Sequence, residues 1–171
     1  MSLLTNMILH GIIFAIVITL YLLFTMVKFS PRIWGFSDYP KTITDTVPPQ
    51  TKAEKKIGIF LSIPFFIMGL AFPIISTIIL KVEYGGYIDF LSAFLNIFGI
   101  FMFMNFADLI ILDWIIVGTI TVKFVIIPGT EHMKDKEYKE FRISHGKAHV
   151  LGTLFMCLLS LLLAFIIILF N

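Results

Sequence analysis

The chain has 171 residues, of which 58% are hydrophobic and 14% charged, with a mean hydropathy of +0.98 and a net charge of +2. Soluble domains are nearer half apolar and a quarter charged, so this composition excludes a water-soluble globule: the apolar surplus must face lipid. The small net charge makes no case for nucleic-acid binding, and the single cysteine, Cys157, excludes an internal disulfide or a zinc-finger spacing.

A helix crosses the hydrocarbon core with about 20 apolar residues. Residues 3–27 supply the first such run. No basic leader or small-residue cleavage site accompanies it, so it is expected to be retained as a span and not removed as a signal. Residues 57–80 form the second span. Pro64 and Pro73 fall inside it, each removing a backbone donor and favouring a kink. Tyr84-Gly85-Gly86-Tyr87 then reads as a tight turn with aromatic anchors. The region from Ile88 to Ile127 is longer, and Asp108, Asp113 and Lys123 interrupt it. No Gly or Pro lies near Asp108 to turn the chain, so the expectation is one span over residues 88–112 with an extension beyond it. Residues 150–170 make the fourth span. The predicted fold is an all-α integral membrane bundle, one domain over residues 1–171, with a long third helix.

Twelve of the thirteen Lys and Arg fall in the two loops at 28–56 and 113–149; Lys81 is the exception. Basic loops stay on the cytoplasmic side. Both termini are therefore expected outside, in the cell membrane, and the third helix is expected to extend toward the cytoplasm.

Ionisable groups within a bilayer are costly and are functional candidates by default. Asn105, Asp108 and Asp113 share a polar face about 140° wide at α-helical pitch, whereas Asn96 points elsewhere. Asp108, the deeper of the two acids, is expected to be the more sensitive. His145 and His149 are four residues apart on one helical face, the spacing of a two-histidine metal pair, although Gly146 stands where a zincin carries Glu. Thr153, Cys157 and Ser160 continue that stripe inward. Pro128-Gly129-Thr130-Glu131 reads as a helix stop, and residues 134–140 as a solvated, charged helix face. Between Ser30 and Pro40, Arg32, Trp34 and Tyr39 cluster where the first span ends; Arg32 is suited to an anionic head group and the aromatics to the interface.

The predicted site thus has Asp108, Asp113 and His149 as catalytic groups. Arg32, Trp34, Tyr39 and Asn105 are the substrate-binding residues. Asp108, Asp113, His145 and His149 are the ligands of a divalent metal. The expected function is that of a membrane enzyme acting at the cytoplasmic face on a lipid or other amphiphile. The alternatives are a proton- or ion-coupled transporter or channel-like oligomer, and a membrane scaffold. The expected partners are membrane lipids and copies of the chain itself.

Asn105-Phe106-Ala107-Asp108 resembles the Asn-x-Ala-Asp element of the lipoprotein signal peptidases, which are also small four-span proteins. The chain lacks the family's Gly-Asn-x-x-Asp-Arg context and has the opposite expected orientation, so that family is set aside. A bis-histidine haem is excluded because His10 lies at the other end of the bundle from His145 and His149. No Walker or Rossmann glycine pattern occurs.

Overall fold

The computed structural model describes all 171 residues, apart from the side chain of Ser144. It is 81% helical, with no strand among the described residues. Four helices are long and apolar enough to cross a membrane.

Helix α1 (Leu3–Lys28) starts at Ser2, whose hydroxyl accepts from the Thr5 N–H. Helix α2 (Lys52–Glu83) starts at Thr51, where Thr51 and Glu54 satisfy one another's backbone donors in a capping box. It ends at Gly85 and Gly86, whose φ values of 81° and 94° favour residues without a Cβ. Helix α3 (Phe90–Ile120) is capped by Asp89, whose carboxylate accepts from Ser92 N–H at 2.9 Å. Helix α4 (Glu137–Ile168) completes the bundle. The third helix continues past residue 112 to Ile120, the extension expected from the sequence, whereas residues 52–56 and 137–149, expected in the two basic loops, are helical. The capping box carries α2 past its apolar run, and burial of Tyr138 and Phe141 holds the first turns of α4.

Helix α3 is the axis of the bundle: 39% of its most apolar stretch is buried, against 17% to 22% for the other three. It packs extensively against both α1 and α4, and it meets α1 mainly along its first half. Small residues permit this approach, as is general for helix pairs in lipid: a Cβ on Gly11 would lie 2.4 Å from the Phe103 ring, and one on Gly99 would lie 2.1 Å from Met7 Sδ. Phe14, Ile18, Leu80, Ile97, Ile100 and Ala164 fill the core of this half. Asn6 and Asn96 lie within it. The Asn6 amide donates to Asn96 Oδ1 at 2.8 Å and to Ser76 Oγ at 2.9 Å, and the Asn96 amide donates to Thr77 Oγ1 at 3.0 Å. Ser76 Oγ and His10 Nδ1 are 2.7 Å apart. This polar clamp ties α1, α2 and α3 together near the chain termini.

Toward the basic loops the bundle opens. The fully buried residues of α2 are Pro73, Ser76, Thr77 and Leu80, all in its second half. Along α4 no described residue between Arg142 and Leu159 is fully buried. Helices α2 and α4 scarcely meet, so a cleft lies between them. Loop residues cover its base. Tyr39, Ile43, Val125, Ile127, Tyr138 and Phe141 form a second core. There the Tyr39 hydroxyl donates to Val125 O at 2.7 Å, and Tyr138 Oη accepts from Ile127 N–H at 2.7 Å. Burial pushes the Tyr39 phenol well above its ordinary pKa, so it stays a neutral donor.

The short helix Pro31–Trp34 lies hard against α2: a Cβ on Gly58 would sit 2.5 Å from the Ile33 carbonyl oxygen. Backbone cannot step aside as a side chain can. Gly58→Ala is therefore expected to cost about 1–3 kcal/mol, read as a lower Tm in detergent. Gly69→Ala on the same helix, where a Cβ meets nothing within 4 Å, is expected to show no such loss.

Candidate metal centre

A cavity of about 490 Å³ occupies the cleft. Its apolar walls include Leu22, Leu61, Phe65, Phe66, Met104 and Met156, contributed by all four helices. Its polar end is built by α3 and α4, where Asp113, His145 and His149 each bring one ligand atom to within 4.8 Å of the others.

Helix α3 changes pitch here. It is α-helical to Ala107 and π-helical from Asp108 to Ile120. An i→i+5 ladder winds at about 4.4 residues per turn, so residues five apart stand roughly 50° from one another, and Asp108 and Asp113 share one face instead of splaying as α-helical pitch implies. Two features mark the end of this segment. The Thr119 hydroxyl donates to Trp114 O at 2.6 Å, five residues back. Thr121 adopts φ 49°, an uncommon conformation for a β-branched residue, and is held there by its hydroxyl donating to Val117 O at 2.8 Å.

Asp113 is the hub. Its Oδ2 is 2.7 Å from His145 Nδ1 and 2.9 Å from His149 Nε2. Asp108 is peripheral, with its Oδ2 3.9 Å from His149 Nε2 and its side chain 28% exposed, against 11% for Asp113. The sequence ranking of the two acids is thus reversed in the geometry, because the π-helical pitch turns Asp113 inward.

The outer nitrogens of both histidines are committed. His145 Nε2 lies 3.2 Å from the backbone carbonyl of Asp38, and a carbonyl only accepts, so Nε2 carries a hydrogen. His149 Nδ1 lies 2.7 Å from Asn105 Oδ1. The orientation of that amide is fixed: the Thr153 hydroxyl donates to His149 O at 2.9 Å and can only accept from Asn105 Nδ2 at 3.2 Å. Hence His149 Nδ1 also carries a hydrogen. Both inner nitrogens then face the same carboxylate oxygen. A bare lone pair against that oxygen is repulsive, so something positive must lie between them. Two protons, one on each imidazole, would balance Asp108 and Asp113. One divalent metal with two neutral imidazoles balances the same two carboxylates. Histidines that hold metals commonly donate their outer ring N–H in this way, which fixes the ring and its tautomer.

His145 also stacks on Phe141, with ring centroids 3.6 Å apart and planes inclined by 21°. Phe141 in turn packs on Tyr39 at 5.2 Å. Aromatic packing thus holds the imidazole in the orientation that the Asp38 carbonyl selects.

The remaining predicted residues divide. Asn105 and Trp34 line the cavity. Tyr39 does not; its hydroxyl is taken by Val125. Arg32 does not either. Its guanidinium donates to Glu54 at 2.7 and 3.1 Å and to the carbonyls of Pro48 and Pro49. The Glu54 hydrogen bonds hold its pKa above the ordinary value. The anion-holding placement expected of Arg32 is therefore corrected: it clasps the first loop to the start of α2. Glu131 turns back on its own loop, accepting from Gly129 N–H at 3.0 Å. Two residues of the site were assigned no role from the sequence. One is Asp38, which lines the cavity and whose backbone carbonyl, a group without a side-chain signal, meets His145; the other is Phe141, whose position beside a charged run hid its inward face.

Set against family models, curated proteins and solved structures, the chain matches none of them.

Proposed function

We propose that the protein is a membrane-embedded metalloenzyme acting on an uncharged or cationic amphiphile that enters from the bilayer between α2 and α4. The observation that carries this reading is the convergence of His145, His149 and Asp113, with both outer imidazole nitrogens already committed as donors. Two histidines and one carboxylate are the ligand set of hydrolytic zinc sites and of non-haem iron sites. Ligand atoms around such a metal would stand about 3.3 Å apart, so Asp113 Oδ2 would need to draw back from each imidazole nitrogen by about half an ångström, from 2.7 and 2.9 Å. Asp108 is placed beside the ligands and not among them; were a metal held there to supply Lewis acidity, Asp108 would be positioned to take a proton from the attacking water. The cleft supports entry from lipid, since both flanking helices leave their facing surfaces half-buried. The charge of the substrate follows from the lining: no Lys or Arg is among the described residues of the cavity, while Asp38, Asp108 and Asp113 are. An anionic head group would meet carboxylates without a side-chain cation to offset them.

Element-resolved mass spectrometry of purified protein tests the reading. About one equivalent of a divalent transition metal is expected, falling as the medium is acidified because protons compete for the same nitrogens. Protein that carries no such metal, and takes up neither zinc nor iron when they are supplied, would overturn it. A transport reading draws on one observation: the buried clamp of Asn6, Ser76 and Asn96 closes the bundle at the end opposite the cavity, as alternating access requires. Proton-linked flux of an amphiphile in liposomes without bound metal would favour it.

The orientation we infer places both basic loops in the cytoplasm. In a Cys157→Ser background, Tyr87→Cys is expected to react with an impermeant thiol reagent in intact cells and Thr46→Cys to be protected. The reverse pattern would invert the topology.

A further inference from the structure

A second concavity, of about 610 Å³, lies between α3 and α4 on the flank turned away from His145 and His149. Lys139, Arg142 and Lys147 converge on it, and Trp114, Ile143 and Val150 complete its walls. None of the three cations forms an ion pair with a described residue. Arg142 is seated and does not sweep through solvent. Its stem crosses α3 at Gly118, where a Cβ would lie 2.2 Å from Arg142 Cγ, and its guanidinium sits 5.8 Å from the centre of the Trp114 ring. Ile143 and Val150 are 68% and 65% exposed, so an apolar wall continues from the cations along the seam.

Three cations with no carboxylate partner among the described residues, gathered at one end of an exposed apolar seam, fit a ligand that carries both a phosphate and hydrocarbon chains. Basic pockets between membrane helices bind anionic lipid head groups in this way, and a guanidinium suits the phosphate. A soluble anion would leave the apolar wall unused. We propose that this groove is a binding site for an anionic phospholipid, with Lys139, Arg142 and Lys147 on the phosphate and the acyl chains along Ile143 and Val150. The preference is opposite to that of the cavity on the other flank of the same helices, and it does not depend on the metal reading.

The chain's two tryptophans allow a direct test, because Trp34 lines the cavity and Trp114 the groove. Trp34→Phe protein is placed in phosphatidylcholine vesicles doped, at equal low mole fraction, with brominated-chain phosphatidylglycerol or brominated-chain phosphatidylcholine. Quenching of Trp114 is expected to report a relative affinity about five-fold or more in favour of phosphatidylglycerol. The triple change Lys139→Gln, Arg142→Gln and Lys147→Gln is expected to bring the ratio close to one. Gly118→Ala, which alters no charge but unseats Arg142, is expected to lower it. Lys52→Gln, Lys55→Gln and Lys56→Gln together are expected to leave it unchanged. Equal quenching by the two lipids in the parent protein would overturn the proposal. So would an equal fall in both triple variants, which would assign the effect to diffuse positive potential. Relief of the quenching by inorganic phosphate would overturn the lipid assignment in favour of a soluble anion.

Discussion

Asp113→Asn is expected to lower metal retention by about a hundred-fold or more, whereas Asp108→Asn lowers it by about ten-fold or less. Asp113 Oδ2 stands within 2.9 Å of both inner imidazole nitrogens, so its loss removes a ligand and the charge that draws the two histidines together. An amide at that position can also turn its NH2 toward the imidazoles and donate to the nitrogens that should bind metal. Asp108 touches neither nitrogen within hydrogen-bond distance, and its substitution should act on turnover more than on occupancy. Metal analysis of the two purified variants beside the parent protein checks this. Equal retention in parent and Asp113→Asn would place any metal elsewhere, and a larger loss in Asp108→Asn would restore the ranking that depth in the bilayer implies.

Gly152→Phe is expected to weaken amphiphile binding by about ten-fold or more, a change of about 1.4 kcal/mol, while leaving metal content unaltered. Gly152 lines the cavity, and a Cβ there meets nothing within 4 Å, so the ring can occupy the space that the ligand needs without displacing the fold. Binding is read in a Trp114→Phe background, where brominated alkyl chains quench the remaining Trp34. A brominated alkyl alcohol and a brominated alkyltrimethylammonium are expected to quench it at concentrations where a brominated alkyl phosphate does not. Preferential quenching by the phosphate would contradict the charge assigned to the cavity. Binding with the expected preference but no turnover would separate the ligand class from the enzymatic reading.

The membrane spans were legible because hydrocarbon thickness dictates a run length, and long apolar runs are the strongest pattern a sequence carries. The histidine pair was legible because residues four apart share a face at any ordinary helical pitch. Asn105 was singled out as a substrate contact; in the structure it lines the cavity and its Oδ1 lies 2.7 Å from His149 Nδ1, a contact fixed through Thr153 that no local pattern announces. Arg32 was misplaced because its partner, Glu54, lies 22 residues along the chain. Nothing local distinguishes a guanidinium aimed at a loop carboxylate from one aimed at a ligand. The cleft was not legible either. Pro64 and Pro73 signalled irregularity in α2, but where the helix leaves the bundle is decided by its packing partners.

The π-helical stretch ties assembly of the site to the winding of a helix. Were residues 108–120 to rewind into an α ladder, Asp113 would swing away from His145 and off the face it shares with Asp108. A ligand that binds the assembled cluster more tightly than the rewound form must shift that equilibrium by the same free energy. Occupancy and winding are then two readings of one thermodynamic linkage. Slowed amide hydrogen exchange across 108–120 would register a bound metal at backbone positions that never touch it.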